Sequence, residues 1–111
     1  MKSETELMQS FDGKGVKSGE ELIVFKEYCR EFVNECENAG FAVLGIEGFF
    51  LLQDGHVKPN LDEIADFSDV HAGSWDEYRE ACSKAANLFI EKMLGGGRSD
   101  GYSFTLTASM E

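Results

Sequence analysis

The run 41–52, FAVLGIEGFFLL, constrains this chain more than any other segment. It is apolar almost throughout and rich in aromatic and branched residues, with only Gly45, Glu47 and Gly48 interrupting it. A membrane-crossing helix needs about 18 or more apolar residues, so the run is too short for one. Branched and aromatic side chains fit a pleated, buried surface. The run therefore predicts a buried strand over 41–46 that continues or kinks into a second over 48–53. A glycine inside a strand marks a bulge or a close backbone approach, and either fits here. Asp54-Gly55 is a hairpin signal, with His56-Val57-Lys58 as the return strand. Pro59 is expected to end that strand, because proline cannot donate to a ladder.

Two amphipathic helices bracket this sheet element. Ser18 with Glu21 has the spacing of a capping box. Leu22, Phe25, Cys29, Phe32, Val33 and Cys36 follow at helical intervals, and Gly40 supplies the stop. Ser74 with Glu77 repeats that grammar. Tyr78, Cys82, Ala85, Phe89 and Met93 form the second stripe, with Ala81, Ala86 and Ile90 beside it, and Gly95-Gly96-Gly97 ends it. Between the hairpin and this helix, residues 60–73 read as a packed loop or a single helical turn. Leu61, Ile64 and Phe67 are its anchors.

The C-terminal segment alternates Tyr102, Phe104, Leu106 and Ala108 with Ser103, Thr105 and Thr107. A period of two predicts a half-buried strand with one wet face. The expected class is α+β, two layers, with two amphipathic helices packed on a small sheet of three to four strands. Residues 1–17 are polar, with Phe11 as the main anchor, and read as a partly ordered lead. Residues 18–111 then form one domain, as the chain length of 111 residues allows.

Charge narrows the partners. The chain has 21 acidic against 10 basic residues, a net charge of −11. Nucleic acid and anionic membranes would repel it, whereas a basic protein would be drawn to it. The three cysteines, Cys29, Cys36 and Cys82, form no CxxC pair and fall on apolar stripes. They read as buried, reduced thiols, which suits the cytoplasm. The first ten residues carry no apolar run of the kind a signal peptide needs.

No catalytic signature emerges. Stripe cysteines pack rather than attack, and no serine sits in a nucleophile elbow. The glycines match neither a P-loop nor a dinucleotide fingerprint, and no cofactor is expected. Asp66, Asp69 and His71 share a loop without the spacing of a metal site, and read as a solvated loop. Glu47 stands apart from the other carboxylates. Buried between its glycines it would be a general acid or base in a small enzyme or ligand-binding pocket; facing solvent it would be an ordinary strand residue. The remaining feature is an acidic and aromatic patch: Asp62, Glu63, Asp66, Asp69, Trp75, Asp76, Glu77 and Tyr78. Carboxylates steer a basic partner while aromatics supply buried contact. Inward packing of Trp75 and Tyr78, with the acids merely solubilising, is the competing reading. An unpaired edge on the 102–108 strand would offer a further contact, a homodimer.

The sequence also resembles a known family. The stretch GFAVLGIE at 40–47, the hairpin at Asp54-Gly55, IADFS at 64–68 and the helix opening Ser74-Trp75-Asp76-Glu77-Tyr78 together resemble the immunity protein 40 family of bacterial polymorphic toxin systems. The resemblance covers roughly 22–93. It implies a non-enzymatic cytoplasmic protein that binds and neutralises a cognate secreted toxin, a nuclease being one class with a basic site to cover. It implies no catalytic residues, so the eight patch residues are the expected contact surface.

Overall fold

A computed structural model describes residues 2–109. The elements run α1 (Glu4–Gln9), β1 (Gly15–Ser18), β2 (Glu21–Phe25), a 3-10 turn (Lys26–Tyr28), α2 (Cys29–Asn38), β3 (Ala42–Leu51), β4 (Val57–Asp66), α3 (Trp75–Gly96) and β5 (Gly101–Thr107). The class is α+β. Three helices accompany one open antiparallel sheet of five strands in the order β1-β2-β5-β3-β4.

The N-terminal lead is more ordered than its composition predicts. Ser3 and Glu6 close a capping box: the Ser3 hydroxyl accepts from the Glu6 amide, and the Glu6 carboxylate accepts from the Ser3 amide. Leu7 and Phe11 are then buried in the core, and the Phe11 ring meets Phe32 edge-on at 4.9 Å. The expected boundary at 17/18 falls inside a hairpin, since Ser18 pairs with Glu21 across the β1–β2 turn. Gly19, with φ +63°, makes that turn. Ser18 therefore caps no helix, and residues 21–25 are strand. β1 pairs with Glu21 to Val24 on one side, and β5 pairs with Val24 and Phe25 on the other. The helix begins only at Cys29, and its buried residues are Cys29, Phe32, Val33 and Cys36. Gly40, at φ +87°, ends it as expected.

The run 41–52 folds as one strand rather than two, bent by two irregularities. Against β5 the register slips between Val43 and Gly45, leaving Leu44 as the extra residue. That bulge lets Val43 and Ile46, three positions apart, both face the core. Against β4 the register slips between Glu47 and Gly48, and residues 61–63 bulge out of the partner strand. β4 does not end at Pro59 but continues to Asp66. It is an edge strand, where a missing N–H is tolerated. Residues 60–66 are thus strand rather than loop or helical turn.

The helices cover one face of the sheet. α3 packs on β3 and α2, and its buried seam is Cys82, Ala86, Ile90 and Met93. This seam is rotated slightly from the expected stripe, leaving Tyr78, Ala85 and Phe89 only half-buried. Val24, Val43, Ile46, Tyr102 and Phe104 face it from the strands. β5 lies between β2 and β3, and its pairing with β2 is confined to Gly101 and Tyr102. Against β3 it is paired from Gly101 to Thr107. No helix among the described residues is long and apolar enough to cross a membrane.

Candidate functional site

The acidic stretch starts in the β4 bulge. Leu61 and Asp62 point outward, Leu61 with 76% of its surface exposed. Glu63 turns the other way and is only 8% exposed. One of its oxygens accepts from the Arg98 amide at 2.6 Å. The other accepts from the Ser99 amide at 3.0 Å and the Tyr102 hydroxyl at 2.8 Å. Burial pushes its pKa up, but hydrogen bonds from the Ser99 hydroxyl, the Arg98 amide, the Tyr102 hydroxyl and the Ser99 amide together bring it down to about 2. Glu63 is therefore a structural clasp and leaves the expected contact surface. It holds the loop between α3 and β5 across Gly48, where an added Cβ would overlap the Ser99 hydroxyl. The Asn60 amide donates to that same hydroxyl at 3.0 Å. Asp100 extends the clasp by accepting from the Leu51 amide at 2.8 Å.

The other patch residues lie where strand gives way to helix. Asp66 is exposed at the end of β4. Hydrogen bonds from the Ser68 hydroxyl and amide hold its carboxyl below the usual range. Asp69 is exposed in the connecting turn. Ser74 caps α3 as expected, its hydroxyl accepting from the Glu77 amide at 3.2 Å and donating to the Glu77 carboxylate at 3.1 Å. Acidic residues in this first turn also suit the positive end of the helix. Trp75 and Tyr78 stack at 5.9 Å between ring centres, and both are half-buried. Their faces are neither wholly in the core nor wholly free. Asp76 is 85% exposed at its side chain and pairs with Arg79 at 3.4 Å.

A second acidic feature lies on the sheet face away from the helices. Ser103 is opposite Glu47, Glu47 is opposite Ile64, and Gly45 is opposite both Thr105 and Asp66. These residues, with Glu21 of β2 and Leu44 of the bulge, line an open hollow of about 400 Å³. Glu47 is half-buried there, between its two expected extremes. His56, at the hairpin, is engaged instead by Asp54, its Nδ1 lying 2.8 Å from the Asp54 carboxylate. The hollow is lined by Glu21, Glu47 and Asp66 and by no Lys, Arg or His. A larger groove of about 800 Å³ beside α1 and the first hairpin differs, because the basic Lys17 lines it together with Glu4, Asp12 and Glu20. Glu21 and Ser103 were outside the patch read from the sequence. The alternation in 102–108 set Ser103 on the face opposite Tyr102 and Phe104, expected wet but buried here, and nothing local put Glu21 near it.

The cysteines are all buried. Burial pushes the Cys29 thiol up to about 12 and raises Cys36 and Cys82 as well. At neutral pH they are protonated packing groups without nucleophilic character. Among the described residues no group of three or more His, Cys, Asp or Glu is placed to hold a metal ion, and Asp66, Asp69 and His71 do not form one.

No protein-family model matches this chain, and no curated protein matches it.

Proposed function

We propose that this chain is an immunity protein that binds a cognate secreted bacterial toxin domain and neutralises it by covering a basic surface. A nuclease is the toxin class whose phosphate-binding cleft best complements such a cover. The observation that carries this reading is the exposed acidic band from the β4 bulge to the first turns of α3. Asp62, Asp66, Asp69, Asp76, Glu77 and Glu80 are all exposed along it, and Trp75 and Tyr78 stack where α3 begins. Arg79 is the one Lys or Arg between 61 and 80, and Asp76 already engages it. A cationic partner therefore meets little local competition. The resemblance over 22–93 supplies the kind of partner.

The test is to co-purify the chain with the toxin domain encoded beside it and to follow association at low and high salt. A tight complex is expected, with an association rate that falls as salt rises. Growth of cells expressing the toxin should be restored by this chain. Asp66→Lys with Asp69→Lys should slow association about ten-fold through lost steering. The absence of both complex and rescue would overturn the reading.

A further inference from the structure

The hollow on the open sheet face has the chemistry of a receptor for one long cationic side chain. Its carboxylates come from three strands: Glu21 on β2, Glu47 on β3 and Asp66 on β4. Like charges gathered on one sheet face disfavour one another unless a cation joins them. An acidic cluster alone would be only a solvated face, but Ser103 adds an independent sign. Its residue surface is 6% exposed, it lines the hollow beside Glu47, and its hydroxyl has no hydrogen-bond partner among the described residues. No fully buried side-chain oxygen among the described residues lacks a partner, so this hydroxyl opens into the hollow, where a ligand's donor would complete it.

The walls fit the rest of such a side chain. Ile64 is 48% exposed and, with Leu44, presents apolar surface at the rim. Gly45 has no side chain to fill the space; an added Cβ would lie 3.2 Å from the Ala65 carbonyl oxygen. A lysine offers a point charge on a flexible stem. An arginine offers five N–H donors in a planar fork, which can serve carboxylates in different directions and a hydroxyl together. We infer that the hollow is a socket for one arginine side chain of a basic partner protein. Its stem lies on Ile64 and Leu44, and its guanidinium donates to Glu47, Asp66 and the Ser103 hydroxyl. This rests on the proposed reading in that the partner is a basic protein. Asp66 belongs both to the socket and to the acidic band, so one partner surface can engage the two.

The socket is testable without a toxin. Amide shifts of the full chain are followed by NMR at low salt during titration with N-acetyl-arginine-methylamide, its neutral citrulline counterpart and the lysine analogue. Saturable shifts at Glu47, Ile64, Asp66, Ser103 and Thr105 are expected with arginine, and much weaker ones with citrulline and lysine. Glu47→Gln and Ser103→Ala, each checked for an otherwise unchanged amide spectrum, should weaken arginine binding several-fold. Absent shifts, or equal shifts with citrulline or lysine, would overturn the socket. With the neighbouring toxin domain, Glu47→Gln should weaken the complex about ten-fold. Toxin binding that Glu47→Gln leaves unchanged overturns the socket but not the immunity reading. Arginine binding without any toxin complex sinks the immunity reading and leaves the socket standing.

Discussion

Replacing Glu63 with glutamine should remove a large share of this domain's stability, and the pH dependence of that loss identifies its cause. The carboxylate is 8% exposed and accepts from two amides and a hydroxyl. Its pKa falls from an ordinary 4.5 to about 2, a change that corresponds to at most about 3 kcal/mol of stabilisation at neutral pH. Solvent near the rim of the clasp screens part of this and brings it toward about 2 kcal/mol. Glutamine keeps one acceptor but turns an NH₂ toward a donor, which leaves a buried N–H or O–H unpaired at a cost of about 1–3 kcal/mol. Glu63→Gln should therefore cost about 2–4 kcal/mol at pH 7. Because folding lowers this pKa, the stabilisation is complete above the unfolded value of 4.5 and is lost as pH falls toward 2. Urea unfolding of both proteins from pH 7 down to pH 2.5 should show the gap between them narrowing over that window. Glu6, Asp54 and Asp66 also have lowered pKa values, but they are common to both proteins and cancel in the difference. A gap below about 0.5 kcal/mol at pH 7, or one that stays constant with pH, would refute the clasp.

Other perturbations test other parts of the fold. Phe11→Ala should cost about 3–5 kcal/mol in urea unfolding, because the ring is buried against Phe32; a cost near zero would detach the N-terminal segment from the domain. Gly48→Ala should cost about 1–3 kcal/mol by forcing Ser99 from its place above the strand, and an unchanged unfolding midpoint would show that the loop yields freely. Cys29, Cys36 and Cys82 should resist a thiol reagent such as DTNB at pH 8 until denaturant is added, since burial keeps them protonated and covered; rapid native-state labelling would contradict this.

Short-range signals set several elements. Ser74 with Glu77 opens α3, Gly40 ends α2 and Asp54-Gly55 turns the hairpin, because caps and left-handed turns depend on residues within a few positions. The apolar run became a central strand, and the alternation in 102–108 became a strand over Gly101–Thr107. The same local grammar misled at Ser18 with Glu21. Ser3 with Glu6 has identical spacing and does cap a helix, whereas Ser18 and Glu21 face each other across a strand turn. What separates them is not in either tetrapeptide. Residues 22–24 are buried, β1 pairs with all three and β5 with Val24, and that favours sheet over the helical alternative.

The sequence by itself determined an acidic α+β chain, its hairpin, its long capped helix and the acidic stretch that contains Trp75. Only the tertiary structure decided the strand order and, with it, the sites. That order places β5 between β2 and β3. The same placement brought Glu21, Glu47, Asp66 and Ser103 around one hollow and carried Glu63 beneath a loop 35 residues away in the chain. Periodicity states which face of a strand is wet. Which distant strand shares that face depends on long-range pairing, and no local pattern encodes it.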